Sequence, residues 1–351
     1  MRIAPAPPAL AMPLVLVALA LGSGGAAHAQ GVELRIDIDN AAASEAGLED
    51  VNALQADLES QFDTSLVLDD QTAYMEQMAD ANVLSAKGMG VDYASKFEKF
   101  IIGGGFGSAV NSAGFTFSRG DAPLPSGGFA FQATVMAGLN LGGFNDEQGF
   151  GDRVRIYANG LYAPVAGSPF TGELLNYGAH LQFAVINPSG DKDSMVRFAG
   201  VDLTSGYERS RYVMTLEQGL PIPTGDVNWD ATGSYSITSD TQSVPVELST
   251  GLKIAIISAY VGGAADINLD GASTGEIGLE GPLSADNPAT GQSVEIGTAS
   301  VLATASGGAA QVTPRIFGGA MVHLLFVKLY GHLNVTLDRS VGGHMGARVA
   351  F

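Results

Sequence analysis

The chain has 351 residues, a net charge of −19 at pH 7 and no cysteine, and hydrophobic residues occupy 46% of its positions. The acidic balance excludes a nucleic-acid-binding protein, which needs a basic surface, so no nucleic acid is expected among the partners. Without cysteine, neither a disulfide nor a cysteine-based metal centre can stabilise the fold.

The hydrophobic residues are spread along the chain. Mean hydropathy is +0.19, but beyond residue 30 no apolar run approaches the about 20 residues that a membrane-spanning helix needs. The apolar side chains must therefore alternate with polar ones, as they do along the strands of membrane barrels.

Residues 1–29 have the pattern of a secretory signal peptide. Arg2 gives a basic start, residues 9–21 are apolar, and Ala27, His28 and Ala29 form a small-x-small cleavage site. The apolar stretch is too short to cross a membrane as a helix, which argues against a retained anchor. We expect the protein to be exported and its mature chain to begin near Gln30.

Residues 30–96 differ from the rest of the chain and are predicted to form an acidic N-terminal helical segment. Residues 32–38 alternate like a short strand. A helix capped by Ser44 and a second capped by Asp69 or Asp70 are then predicted. Their apolar stripes are Leu48, Val51, Leu54, Leu58 and Phe62, then Tyr74, Met75, Met78 and Leu84. Fourteen acidic and three basic residues lie between 31 and 96, so the segment is interpreted either as a plug that meets luminal arginines or as a self-packed periplasmic module.

From residue 97 to the end, alternation with period two predicts strands with one apolar and one polar face. Twelve are predicted, at 97–110, 128–141, 152–163, 174–187, 195–204, 207–217, 228–238, 243–254, 258–269, 311–324, 327–338 and 341–351. Ten or fourteen strands remain possible. The predicted fold is an all-β membrane protein, a closed antiparallel transmembrane β-barrel over 97–351 with a short N-terminal helical segment.

The last strand carries the most specific signal. Phe351 ends the chain, and Val349, Ala347, Met345 and Val341 share its face. A final alternating strand with a terminal Phe resembles the C-terminal signature of Gram-negative outer-membrane β-barrel proteins. The resemblance implies location in the outer membrane, contact with its lipid, and recognition by the barrel-assembly machinery through Phe351 and Val349.

No serine-hydrolase elbow, zinc-protease motif or phosphate-binding loop is present, so neither a catalytic nor a cofactor site is predicted. Four histidines lie on polar strand faces and are interpreted as luminal hydrogen-bonding residues: His180, His323, His332 and His344. Asp266, Asn268 and Asp270 resemble the start of a calcium loop, but Ile277 stands where the bidentate glutamate belongs. Residues 271–309, rich in Gly, Ala, Ser and Thr, are predicted to form a solvated loop or a constriction folded into the barrel.

Charged residues on the polar faces are the remaining candidates. A charge on the lipid face costs about 2–4 kcal/mol at the bilayer midplane, so these side chains should point inward. The predicted lumen-lining residues are Arg153, Arg155, Arg211, Glu247, Lys253, Arg315, Lys328 and Arg348. Such residues could select anions in a pore, or fill the lumen as Arg–carboxylate pairs.

The sequence therefore favours an outer-membrane channel or transporter for small solutes, with a narrow or plugged lumen. The alternative is a structural or surface-interaction barrel without transport, and an outer-membrane enzyme ranks third. The solute is not specified by any motif.

Overall fold

The computed structural model describes residues 31–351 except 49, 54, 57–70, 112–126, 145–149, 168–169, 190–194, 225–226 and 338–339. The signal-peptide prediction and Asp69 and Asp70 lie outside the described residues. The helices are α1 (Asn40–Glu45) and α2 (Gln71–Ala86), residues 51–53 and 55–56 are also helical, and 3-10 turns occur at Leu141–Phe144 and Phe150–Arg153.

Twelve antiparallel strands form a single sheet. In chain order they are β1 (Gly31–Ile38), β2 (Phe100–Asn111), β3 (Phe129–Asn140), β4 (Val154–Gly167), β5 (Phe170–Ile186), β6 (Val196–Thr224), β7 (Val227–Ile254), β8 (Ile257–Asp286), β9 (Ser293–Gly308), β10 (Val312–Leu324), β11 (Val327–Thr336) and β12 (Ser340–Ala350). The prediction of an all-β, antiparallel fold is confirmed, and the total of twelve strands includes β1, which lies before the range 97–351 in which twelve were predicted.

The sheet closes on itself because β7 pairs with β8. The ring runs β8–β10–β11–β12–β2–β3–β4–β5–β6–β7 and contains ten strands, which leaves β1 and β9 outside it. The first half of β8 pairs with β10, and its second half pairs with β9 instead. The distal halves of β6, β7 and β8 therefore leave the ring and, with β9 and β1, form a five-stranded sheet that we call the extension.

Several strand boundaries were wrong. The strands predicted at 195–204 and 207–217 are one strand, β6, and those at 228–238 and 243–254 are one strand, β7. The apparent breaks are Ser-Gly at 205–206 and Ser-Asp-Thr-Gln at 239–242, which remain paired here because neighbouring strands lie on both sides.

The prediction of a loop at 271–309 was also wrong. Residues 272–286 of β8 pair with residues 293–308 of β9, and only short connections remain. The small residues have a packing role, because Gly275 lies beside the Met75 side chain and Gly307 lies against the backbone of α2 at Thr72 and Glu76. Their small size permits close helix–sheet contact, a reason that composition alone does not reveal.

α1 is a short helix that precedes the one predicted from Ser44. Asp39 caps α1, and its carboxylate accepts hydrogen bonds from the amides of Ala41 and Ala42 at 2.8 and 3.3 Å. Ser44 lies inside α1 and caps no helix. Of the predicted stripe, Val51 lies in the helical residues 51–53 and 55–56, and Leu54, Leu58 and Phe62 lie outside the described residues. β1 precedes α1 and pairs with β9, which confirms the strand-like pattern at 32–38.

The extension has its own apolar core. Trp229, Leu283 and Ile296 are completely buried there, and Ala43 of α1 and the partly buried Val51 pack against them. The Trp229 indole N–H donates to the Gly281 carbonyl at 3.2 Å. The extension is thus a folded unit attached to one rim of the ring.

The outer face of the ring is apolar. Ile316 and Leu333 are each 63% exposed, and Phe106, Val135, Leu181 and Leu248 are exposed in the same way. Such a band on a closed barrel is the lipid-facing surface of an outer-membrane-type protein, and the protein is an outer-membrane β-barrel as predicted. No helix in the described part of the chain is long and apolar enough to cross a membrane.

The two ends of the ring differ. Two-residue turns at Ala255 and Ile256 and at Leu325 and Phe326 lie at the end where β12 finishes and β2 begins. The longest connections, from β2 to β3 and through the extension from β8 to β10, lie at the other end. Long loops are typical of the extracellular side of such barrels and short turns of the periplasmic side, so we assign the end with the two turns to the periplasm. The extension, at the opposite rim, then lies on the extracellular side.

Replacing the buried indole tests the independence of the extension. Trp229→Ala should cost the extension about 3–5 kcal/mol, because a large side chain is removed from a closed core. Limited proteolysis should cut residues 227–308 faster, while the ring keeps its heat-dependent mobility on SDS gels. Leu302→Ala, at a more exposed position on β9, is the control, and unchanged protection in Trp229→Ala would contradict a separately folded extension.

Candidate functional site in the barrel lumen

Residues 71–97, which we call the plug, lie inside the ring. α2 begins beside β9 of the extension and runs into the lumen. The chain continues through residues 87–97 and reaches Phe100, the first residue of β2, at the periplasmic end. Every residue from 81 to 94 is buried. The plug therefore crosses the ring from the extracellular to the periplasmic end.

The outermost polar contacts surround Asn82. Its side-chain nitrogen donates to the Ser210 carbonyl at 3.0 Å and to the Thr241 hydroxyl at 3.2 Å. Its oxygen accepts from the Ser210 hydroxyl at 3.0 Å and from Gln132 at 3.2 Å. This one amide connects α2 to β3, β6 and β7 on different sides of the lumen.

The next contact toward the periplasm is Lys87. Its ammonium lies 2.7 Å from the Glu208 carboxylate and 3.8 Å from that of Asp266. All three side chains are almost completely buried. The Lys87 carbonyl also accepts a hydrogen bond from Asn334 at 3.1 Å, so both the charge and the backbone of the plug contact the wall.

Arg315 is the centre of the largest charge network. Its guanidinium contacts Asp266 at 2.8 Å, Glu247 at 2.6 Å and Asn334 at 2.7 Å. The Tyr93 hydroxyl of the plug donates to the other oxygen of Glu247 at 2.7 Å. The network satisfies one arginine and two carboxylates where the side chains of all three are almost fully buried, and the plug completes it.

Aromatic rings fill the space below Arg315. Tyr93 stacks on Tyr260 and on His332, with ring centroids 5.2 and 5.5 Å apart. His332 also stacks on His344 at 4.2 Å. Gly88 passes these histidines with a φ of +85°, and a Cβ there would come within 3.0 Å of the His332 ring. Glycine is therefore required for the chain to pass at this point.

Three further ionic contacts close the periplasmic part. Asp92 accepts from the Arg348 guanidinium at 3.2 Å, and that guanidinium lies 3.9 Å from the centroid of the Tyr330 ring. Lys96 forms an ion pair with Asp202 of β6, and Arg155 approaches the same carboxylate at 3.7 Å. The plug thus contributes charges of both signs.

This pattern differs from the one expected. The sequence predicted acidic plug residues against basic wall residues, and Asp92 with Arg348 is such a pair. Lys87 and Lys96, however, are plug cations that pair with wall carboxylates. The sequence analysis missed their partners, Glu208 and Asp202. Glu208 stands between Tyr207 and Arg209, so the sequence around it does not show which residues of its strand face inward.

Most predicted lumen residues are where the alternation placed them. The buried ones are Arg155, Glu247, Arg315, Lys328 and Arg348, and all of these except Lys328 contact the networks described above. Lys253 is half-buried near the end of β7. Arg153 is half-buried in the 3-10 turn before β4, because the strand predicted at 152–163 begins only at Val154. Phe351 is exposed and Val349 is half-buried at the periplasmic end.

Arg211 was assigned to the wrong face. Tyr212 is the buried residue at this point, and Arg211 pairs with Glu173 at 3.3 Å with both side chains about one-third exposed. Arg209 and Asp240 form a bidentate pair on the same outer face, at 2.9 and 2.6 Å. Charges on the outer face mark the level at which the wall leaves the hydrocarbon layer.

The four histidines and the calcium candidate have clear positions. His180, His332 and His344 are buried in the lumen, and His323 is half-buried on the same phase. Asp266 forms ion pairs with Arg315 and Lys87 and does not begin a calcium-binding loop, because β8 continues as an extended strand through Asn268 and Asp270. In the described residues no three His, Asp or Glu are grouped to hold a metal ion.

One serine–histidine contact is present in the lumen. The Ser258 hydroxyl and the His323 ring nitrogen are 2.8 Å apart. A hydrolase would also need a carboxylate that orients the histidine. No described carboxylate hydrogen-bonds to His323, so this contact does not form a triad.

The energetic role of the central network can be measured. Arg315→Met should destabilise the barrel by about 3–5 kcal/mol, because it leaves Asp266 and Glu247 buried without their partner. Arg211→Met should cost about 0–1 kcal/mol, because its pair is solvent-exposed. Guanidinium unfolding in detergent micelles measures both losses.

A compensated variant sharpens this test. Adding Asp266→Asn and Glu247→Gln to Arg315→Met removes the uncompensated charges and should recover part of the lost free energy of unfolding. Equal losses for Arg315→Met and Arg211→Met would show that the network does not stabilise the barrel.

The chain can be compared with known proteins. Solved structures that resemble it include the toluene transporter TbuX of Ralstonia pickettii, with 9% identity, a TM-score of 0.27 and coverage of 80% of this chain and 93% of that one. The translocator domain of the autotransporter NalP from Neisseria meningitidis has 10% identity, a TM-score of 0.28 and coverage of 86% and 98%. The Acinetobacter baumannii outer membrane protein Omp33 has 10% identity, a TM-score of 0.26 and coverage of 73% and 100%.

Sequence comparison gives a narrower result. No curated protein matches the chain. The family model described as Lsa36-like matches residues 41–351, which include the plug and the whole ring. The chain belongs to the Lsa36-like family.

Proposed function

We propose that this protein is an outer-membrane channel or transporter for small solutes, whose lumen is closed at rest by the plug. The observation that carries the proposal is that the plug is held across the lumen by ion pairs and hydrogen bonds on several strands. Apolar side chains of the plug pack against the wall in two separate clusters, one with Leu84 and one with Phe97, so the polar contacts are not enclosed in one continuous apolar core.

The energetics of these contacts favour a plug that can move. Removing two charges from water costs several kcal/mol per ion, and this cost offsets most of the attraction between them. Water that enters the lumen can solvate Lys87 and Glu208 separately. Displacement of the plug is therefore less costly than the number of its contacts indicates.

The wall that remains after displacement supports the same proposal. Arg155, Arg315 and Arg348 would line it together with Asp202, Glu208 and Asp266. A passage with both signs of charge and many hydroxyl and amide groups suits small polar solutes rather than one type of ion.

A surface-interaction role is the second candidate. The separately packed extension favours it, because a folded unit on the extracellular rim presents a fixed surface to solvent. Trp229→Ala separates the two roles, since it should weaken a surface contact and leave conductance unchanged.

Locking the plug tests the channel proposal. Asn82 Oδ1 and Ser210 Oγ are 3.0 Å apart, so cysteines at both positions come within reach of a disulfide. The chain has no other cysteine to compete. We expect the oxidised double variant Asn82→Cys, Ser210→Cys to show no openings in planar bilayers, and the reduced form to show them.

The single variant Asn82→Cys is the control for lost hydrogen bonds. It should conduct equally with and without reductant. Identical conductance of the double variant in its oxidised and reduced forms would contradict a mobile plug. Silence of every variant, including Lys87→Gln with Glu208→Gln, would favour the barrel without transport.

We also propose that the terminal strand is the segment that the barrel-assembly machinery recognises. The backbone of Phe351 bonds to Lys99 and Phe100 at 2.7 to 3.1 Å and completes the β12–β2 pairing. Its side chain stays 62% exposed, so the ring is free for a partner during assembly.

Phe351→Ala keeps the backbone bonds and removes only this ring. We expect the amount of heat-modifiable barrel in outer-membrane fractions to fall, because recognition and not stability is lost. Phe326→Ala, an exposed aromatic in the β10–β11 turn at the same end, should assemble like the wild type. Equal assembly of both variants would show that Phe351 is not a recognition element.

A further inference from the structure

Two inward positions of the wall beside the plug are glycines, and polar side chains surround them. Asn159 of β4, Gly178 of β5 and Glu208 of β6 lie directly opposite one another, and His180 follows on β5, opposite Gly206. A Cβ at position 178 would come within 2.9 Å of the Asn159 oxygen and 3.2 Å of the Glu208 side chain. The absence of side chains at these positions leaves space for another group to approach.

The imidazole of His180 has no hydrogen-bond partner in the described part of the chain. Its side chain is 1% exposed, and neither ring nitrogen takes part in a hydrogen bond. Glu208 Oε1 lies 3.4 Å from His180 Nε2, but the two atoms are not aligned as donor and acceptor. Since buried polar atoms nearly always have a partner, this imidazole indicates a ligand that the polypeptide itself does not supply.

The side-chain oxygen of Asn159 is buried and unpartnered among the described residues in the same way. The Asn159 nitrogen donates to Asn176 at 2.8 Å and to Thr134 at 3.2 Å, which fixes the orientation of the amide. A Cβ on Gly90 of the plug would lie 2.5 Å from the Asn159 oxygen and 2.9 Å from His180 Nε2. One point beside the plug backbone is thus close to both atoms, and residue 90 leaves it accessible because it is glycine.

The spacing of these side chains fits a metal ion. Two ligand atoms at about 2.0–2.2 Å from a zinc ion, at the tetrahedral angle, are about 3.3–3.5 Å apart. His180 Nε2 and Glu208 Oε1 have this separation, which is longer than a good hydrogen bond. The third ligand is the amide oxygen of Asn159, so the site is consistent with the absence of three grouped His, Asp or Glu among the described residues.

The charge of the central network also favours a cation. Glu208, Glu247 and Asp266 supply three negative charges, and Lys87 and Arg315 supply two positive ones. All five side chains are almost completely buried, where an uncompensated charge is costly. Lys87 contacts Oε2 of Glu208, so Oε1, on the side of His180, remains available to a cation.

We propose that His180, Glu208 and Asn159 bind a divalent transition-metal ion of the zinc type in the wall of the lumen. An imidazole ligand suits zinc and similar ions, whereas magnesium and calcium prefer oxygen ligands alone. The site goes beyond the proposed channel function, because its ligands join β4, β5 and β6 whether or not a solute passes. A metal that binds only the folded barrel stabilises it against unfolding.

Zinc binding to the full-length mature protein tests the proposal. The protein is refolded in detergent with zinc chloride and dialysed, and its metal content is measured by elemental mass spectrometry. We expect one zinc ion per chain, and a higher melting temperature than after refolding with EDTA. Refolding with cobalt should give the visible absorption of a tetrahedral ion with nitrogen and oxygen ligands.

Variants of single ligands locate the metal. His180→Gln should lower zinc affinity by at least about tenfold, since the loss of even an outer partner of a metal ligand costs that much. Asn159→Leu should act in the same direction, and it decides if His180→Gln does not fold. His323→Gln is the matched control, because His323 contacts Ser258 and not this site, and it should retain zinc like the wild type. Heat-dependent mobility on SDS gels shows which variants have folded.

Three outcomes would overturn the site. If the wild type retains no zinc, His180 and Glu208 form an ordinary ion pair. Equal retention by the wild type and both ligand variants would place the metal elsewhere, on the acidic surface. Equal melting temperatures after refolding with zinc and with EDTA would show that no metal joins the strands. None of these measurements uses conductance, so failure of the channel proposal and failure of this one are distinguishable.

Discussion

Charges buried in the lumen need partners, and the rest of the structure depends on how they find them. Each unpaired ion removed from water costs several kcal/mol. The wall presents Glu208 and Asp202 on one side and Arg348 on the other, and the plug supplies Lys87, Lys96 and Asp92 in the matching order. An empty lumen would have to contain water around these groups. The ring and the plug therefore stabilise one another as long as water does not enter the lumen.

The fold was predictable from the sequence because lipid enforces alternation. A one-residue slip would turn the apolar face of a strand into the lumen, so the phase of Leu333 or Ile316 is fixed by the membrane. Where strands leave the hydrocarbon layer this constraint ends. Arg211 could then occupy the outer face, and the small residues after Gly271 could form strands although their composition resembles a loop. Sequence reasoning failed at the places where water replaces lipid.

The site was predictable only in part, because the net charge was counted over residues 31–96, whereas the part of the chain inside the lumen is the plug, residues 71–97. Fourteen acidic residues lie between 31 and 96, but within residues 71–97 there are three, Glu76, Asp80 and Asp92, beside Lys87 and Lys96. The acidic excess is thus concentrated before the plug. Alternation along each strand predicts that these arginines face inward. Their partners depend on which strands face each other across the ring, and no single stretch of the sequence specifies that.

α2 also connects the lumen to the outer end of the wall. The Met78 sulfur accepts a hydrogen bond from the Phe129 amide at 3.2 Å, and Asn82, one helical turn later on the same face of α2, is bonded to Ser210 and Gln132. A displacement of α2 that breaks the Asn82 bonds must also move Met78 and release the outer end of β3. Since a rigid helix transmits this movement directly, the state of the lumen and the position of the outer end of β3 are coupled through a single turn of helix.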